Sequence, residues 1–119
     1  MRRRHRKSDC PVHFALEVFG DPWTLLIIRD LMFKDRRTYS DFLRAEEGIA
    51  TNILAARLSV LQERGFIEQI PDPSDKRRHT YRFTAEGRGL CELLGHIANW
   101  GSKHLPGTKI REGIKPPGK

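Results

Sequence analysis

Cysteine is scarce in this chain of 119 residues: there are two, Cys10 and Cys91. A disulfide-stapled fold of this length would need more, so the pair suggests a reducing compartment. Long hydrophobic runs are missing too. No uninterrupted apolar stretch approaches the roughly 20 residues that span a bilayer, which argues against an integral membrane protein. The basic start, Met1 to Lys7, leads into no apolar segment of the kind a secretory signal carries, and none is expected. Catalytic signatures are equally absent: there is no Gly-rich phosphate loop, no His-Glu-x-x-His and no nucleophile elbow. Cys10 and His13 lie three apart and Cys91 and His96 five apart, but neither pair has a second pair at zinc-finger spacing. The expectation is a protein without metal or cofactor, and not an enzyme.

What the chain does have is positive charge, unevenly placed. Lys and Arg number 22 against 15 Asp and Glu, a net +7. Residues 2 to 7 carry five of those cations and no acid, and the tail from Pro106 to Lys119 carries a net +3, which leaves residues 8 to 105 at −1. The excess therefore belongs to two arms. One is a charge run and the other is rich in Pro and Gly, compositions that favour solvated, irregular chain. The expected organisation is a basic flexible arm over 1–9, one domain over 10–105 and a flexible tail over 106–119. With 38% hydrophobic residues the chain can fill one modest core. An anionic partner is suggested, but charge alone does not identify it.

Hydrophobic spacing sets out the domain. Val12, Ala15, Leu16 and Phe19 fall on one face of a short helix that starts at Pro11 and breaks at Gly20-Asp21. Pro22 to Phe33 reads as a second helix, apolar on most sides, with Lys34 to Arg37 as a charged loop after it. Thr38 with Asp41 has the form of a capping box and introduces a short helix through Leu43, which ends at Glu46-Glu47-Gly48. Thr51 to Arg64 is another helix, with Leu54, Leu58 and Leu61 inward and Gly65 as its stop. Two short helices joined by a Gly-containing turn make a helix-turn-helix. The period then changes: Phe66–Ile70 and Thr80–Phe83 read as strands around a polar loop, Pro71 to His79. Thr84 is read as the cap of a last helix. The fold class predicted is mainly α with a small β-hairpin: a winged helix-turn-helix extended by N- and C-terminal helices.

This layout gives the charge an address. The helix from Thr51 presents Thr51, Asn52, Ala55, Ala56 and Ser59 outward with Arg57 at its flank, short side chains that fit a major groove about 12 Å wide. Its first N–H groups are free to meet a phosphate. The same pattern also describes an ordinary amphipathic surface helix. The loop cluster Lys76-Arg77-Arg78 is better explained by a DNA backbone or minor groove than by solubility alone. Arg36 and Arg37 add weaker candidates for phosphate contact. In the last helix Leu93 and Trp100 lie off the Leu90/Leu94/Ile97 row, which suggests a second buried surface; a homodimer supplies one, and a thick core is the alternative.

Several segments together resemble the HxlR family of bacterial transcriptional regulators. The resemblance begins with Cys10-Pro11-Val12, Ala15-Leu16, Gly20 and Trp23 to Leu31. It continues through Tyr39 to Leu43, Gly48-Ile49, Leu54 to Leu58, Leu61 to Ile67 and Tyr81 to Gly87, covering about residues 10 to 104. It implies a homodimeric winged-helix protein, related to the MarR regulators, that binds double-stranded promoter DNA in the bacterial cytoplasm, associated with the nucleoid. Val12, Leu16, Leu93, Ile97 and Trp100 would then form the dimer contact. Two departures stand out. Ala50 replaces the family's usual Ser or Thr, so the cap must move to Thr51 or be lost, and the wing from Asp72 to Arg78 resembles the MarR type. Cys10 matches the cysteine with which some members sense electrophiles or oxidants; the basic run before it would favour a thiolate and Asp9 would oppose it. The plainer reading is a small packing residue. Two rival functions remain open, a nonspecific nucleic-acid binder working through its arms and a protein–protein module using Trp23, Trp100 and the last helix.

Overall fold

The computed structural model describes residues 8–33 and 37–107. Arg36 and most of both basic arms therefore lie outside the described residues.

Helix α1 (Pro11–Phe19) opens on proline, whose fixed φ suits a first helical turn and whose missing N–H would have no partner there. Helix α2 (Thr24–Met32) follows after a short turn. No residue of α2 is fully exposed, and Thr24, Ile27, Ile28 and Leu31 are buried, in line with its nearly unbroken apolar sequence. A two-residue strand β1 (Arg37–Thr38) leads into α3 (Tyr39–Leu43). The capping box forms in both directions: the Asp41 N–H donates to the Thr38 hydroxyl at 3.1 Å, and the Thr38 N–H donates to the Asp41 carboxylate at 2.9 Å.

Helix α4 (Thr51–Glu63) buries Leu54, Leu58 and Leu61 at i, i+4 and i+7. It ends because Gly65 turns left-handed, at φ +84°. That turn lets the N–H groups of Gly65 and Phe66 reach the Gln62 and Leu61 carbonyls at 3.0 and 2.9 Å, which satisfies two carbonyls the helix leaves open.

Strands β2 (Ile67–Pro71) and β3 (His79–Phe83) form the hairpin, with Ile67 opposite Phe83 and Ile70 opposite Thr80. The sheet has three strands rather than two. β1 pairs antiparallel with the free edge of β3, Arg37 opposite Tyr81, giving the order β1-β3-β2. A two-residue strand has no alternation to show, so its sequence looks like loop.

The last helix also starts later than expected. The Thr84 hydroxyl accepts the Gly87 N–H at 3.0 Å and donates to the Gly65 carbonyl at 2.6 Å, so it caps a 3-10 turn, Gly87–Gly89, rather than α5 (Leu90–His104) itself. Gly87 is required by close approach: a Cβ there would stand 1.8 Å from the Phe66 carbonyl oxygen. One core joins Ile27, Ile28 and Leu31 of α2 to Phe42, Ile49, the three α4 leucines, Ile67, Tyr81, Phe83, Leu90 and Leu94. Each such side chain stabilises the fold by about 1.5–3 kcal/mol when fully buried.

Two predicted faces divide differently. On α1, Val18 is buried and Phe19 half-buried, while Val12 and Leu16 are exposed. On α5, Leu90 and Leu94 point inward, and Ile97 joins Leu93 and Trp100 on the outside at i, i+4 and i+7.

Candidate nucleic-acid interface

The core that buries Leu54, Leu58 and Leu61 forces the opposite side of α4 outward. Thr51, Asn52, Ala55, Ala56 and Ser59 are all exposed there. The N-cap is Ala50, which offers no side-chain hydrogen bond, so the cap is lost rather than shifted to Thr51. The residue at the N-cap thus supplies no side-chain acceptor to the first N–H groups of the helix. The start of α4 is fixed from elsewhere. The Tyr39 hydroxyl donates to the Thr51 carbonyl at 2.6 Å. Before it, Arg29 of α2 grips Glu47 in the α3–α4 turn with two parallel bonds, 2.8 and 2.9 Å, while also bonding Asp30. Glu47 first, then Asp30, holds the Arg29 guanidinium above its ordinary pKa against the opposing effect of burial.

The wing tip is organised by carboxylates. Asp72 is buried and accepts the Ser74 N–H and hydroxyl, both at 2.9 Å, and the Arg78 guanidinium at 3.1 Å. Those three donors, in that order of effect, hold its carboxyl below the ordinary value of 3.8. Arg77 meets Asp75 at 3.4 Å, but its side chain is 92% exposed, and Lys76 and Arg78 are exposed as well. A carboxylate with a depressed pKa contributes stability above its unfolded pKa and loses it as pH falls through the folded value. Protection of the Ser74 amide in hydrogen exchange is therefore expected to stay level from neutral pH to about pH 4 and to fall below it. Asp72→Ala should remove that protection at every pH. Equal protection in the variant would show that the carboxylate does not order the tip.

The remaining predicted residues divide. Arg37 is half-buried in β1 and its Nε donates to the Asp30 carbonyl at 2.6 Å, so it faces back into the fold. Arg57 is half-buried and lies 3.5 Å from Asp21. Cys10 is exposed at the head of α1; Cys91 is half-buried, with its thiol pushed up by burial despite Arg88. Both are free thiols. Val12, Leu16 and Trp100 are 65%, 60% and 65% exposed, and Leu93 and Ile97 are also outside the core. Among the described residues no cluster of three or more His, Cys, Asp or Glu could hold a metal ion, and no helix is long and apolar enough to cross a membrane.

Sequence reasoning missed the structural roles of Asp21, Arg29 and Glu47. Asp21 reads as a helix breaker, yet its carboxylate accepts the Trp23 and Thr24 N–H groups at 2.8 and 2.9 Å and the Thr24 hydroxyl. An acid followed by proline just before an apolar run was the available signal. The Arg29–Glu47 fork had none, since its partners are 18 residues apart.

Among the described residues, five α-helices, of which α3 and α4 form the helix-turn-helix with α4 facing outward, and a small antiparallel sheet with a basic tip define a winged helix-turn-helix protein. A family model described as HxlR-like helix-turn-helix matches residues 18–109. The chain belongs to that family of transcriptional regulators. It is 39% identical over 102 residues to the HTH-type transcriptional regulator Rv3095 of Mycobacterium tuberculosis (strain ATCC 25618 / H37Rv), a match covering 86% of this chain and 63% of that protein. The chain thus spans less than two thirds of the length of this curated relative. Among solved structures it is similar to PA1607, named as a transcription factor, with 37% identity and a TM-score of 0.75, covering 87% of this chain and 72% of that one. It is also similar to a protein assigned to the MarR family from Porphyromonas gingivalis W83, at 29% identity and a TM-score of 0.72, covering 87% and 100% of the two chains.

Proposed function

We propose that this chain is a sequence-specific, double-stranded-DNA-binding regulator of transcription that acts as a homodimer at promoters in the bacterial cytoplasm. The observation that carries the reading is the pairing of an exposed, short-side-chain α4 face with a wing whose cations stand in solvent. Thr51, Asn52 and Ala55 are exposed and short enough to approach base edges, and the start of α4, which Ala50 leaves without a side-chain cap, favours an adjoining phosphate. Lys76, Arg77 and Arg78 supply charge without reading sequence. The relatives' own names as transcriptional regulators support the same function. A redox or electrophile response through Cys10 is a second element of the proposal. Its support is position: the thiol is exposed at the head of a helix whose Val12 and Leu16 are unburied.

Selection of bound fragments from sheared genomic DNA tests both elements. It should be run on reduced and on diamide-treated protein, and on a chain lacking residues 2–7 and 106–119. The expected result is a recurrent short motif, retained without the arms and lost or weakened on oxidation. Enrichment of no motif, or disappearance of nearly all binding with the arms, would overturn sequence-specific reading. Identical profiles before and after oxidation would overturn the Cys10 element alone.

A further inference from the structure

On an α-helix, residues 57 and 64 are seven apart and lie on one face. At about 100° per residue that face is turned roughly 160° from the centre of the exposed face formed by Thr51, Asn52, Ala55, Ala56 and Ser59. Arg57 of α4 and Arg64 at its C-cap are both engaged on this far side. Arg57 Nη1 is 3.5 Å from Asp21 Oδ1, and the Arg64 guanidinium lies 5.7 Å from the centre of the Phe14 ring in α1. Just beyond α4, Phe66 stacks on Phe19 at 6.4 Å, which adds a second tie to α1 beside that of Arg64.

Asp21 is a fixed anchor. Its two oxygens already hold the N–H groups of Trp23 and Thr24 and the hydroxyl of Thr24, a residue only 1% exposed. Burial raises the Asp21 pKa, but the Thr24 hydroxyl, the two N–H groups and the Arg57 charge outweigh it and the net shift is downward. The carboxylate cannot follow Arg57 outward without undoing the start of α2. At 3.5 Å, with both side chains partly open to solvent, the pair adds little stability of its own and its effect is geometric.

We propose that Arg57 is a positioning residue: paired with Asp21, it sets the angle of the reading helix against the turn that leaves α1, and it does not bind DNA phosphate. This rests on the DNA-reading function proposed above. A phosphate ligand weakens binding to all duplexes alike and lowers the salt slope when removed. A positioning residue acts on the reading of bases, and its effect is shared with its partner.

The test uses the full chain with Arg57→Ala, Arg57→Lys, Asp21→Asn and the Ala/Asn double variant. Asparagine keeps the acceptor that caps α2, so Asp21→Asn removes the charge and leaves the helix start. Affinity for the selected duplex and for a random duplex is measured across a salt series, with helix content and melting as a folding check. We expect Arg57→Ala and Asp21→Asn each to reduce the preference for the selected duplex by about fivefold, and the double variant to be no worse than either. The salt slope should stay at the wild-type value, and Arg57→Lys should keep most of the preference. The proposal is overturned if Arg57→Ala lowers the slope by about one per protomer and weakens both duplexes equally, or if Asp21→Asn has no effect. A wild-type chain that prefers no duplex would overturn the DNA-reading function, and this role with it.

Discussion

Arg77→Ala combined with Arg78→Ala is expected to weaken duplex binding by about 10- to 100-fold at physiological salt, with equal loss on selected and random sequences. Each cation that meets a phosphate releases a counterion and contributes about 0.9 to the salt slope. Two lost contacts should therefore flatten the slope by about 1.8 per protomer. The two residues differ in how they contribute. Arg77 stands almost wholly in solvent and its 3.4 Å contact with Asp75 is a weak, screened pair, so its charge is free to exchange partners. Arg78 is tied to buried Asp72 and helps to hold the tip in shape. Arg77→Ala alone should take the larger share of the slope, and Arg78→Ala should in addition reduce protection of the Ser74 amide. Titration of a labelled duplex across a salt series measures both; an unchanged slope in the double variant would remove the wing from the interface.

The parts of this molecule that were legible in the sequence are those set by local chemistry. The helices follow from their apolar spacing, the start of α3 from Thr38 and Asp41, the end of α4 from Gly65, and the hairpin from the change of period after it. The candidate reading face was legible for the same reason, because Leu54, Leu58 and Leu61 dictate which side of α4 is left over. What was not legible depends on partners distant in the chain. Arg57 looks like a flanking cation until Asp21, from a turn 36 residues earlier, is found beside it. Arg37 looks like a loop cation until the free edge of β3 draws it into a strand. Ile97 shares a helical row with Leu90 and Leu94 by spacing, but the core closes at Leu94 and leaves Ile97 outside. Side-chain periodicity gives the direction of a residue, whereas the depth of the core decides whether that direction leads to protein or to water.

That outer row sets up the second large effect. Leu16→Glu combined with Trp100→Glu is expected to convert a dimer into a monomer at micromolar concentration. Val12 and Leu16 on α1 and Leu93, Ile97 and Trp100 on α5 are large apolar side chains left outside the core, and an exposed apolar surface of this kind marks an association site. A two-fold interface meets every substitution twice, so even about 2 kcal/mol lost per chain becomes roughly 4 per dimer, near a thousandfold in the dissociation constant. Neither side chain belongs to the core, so melting of the monomer should change little. Sedimentation equilibrium gives the direct reading. Binding to a two-half-site duplex should weaken by about 100-fold or more, because the second half-site is no longer engaged by a linked partner. The salt slope should fall toward half, since one protomer then carries one wing. This separates the dimer variant from the wing variant, in which the slope falls while the protein remains a dimer. A double glutamate variant that sediments as the wild type does would remove α1 and α5 from any subunit contact.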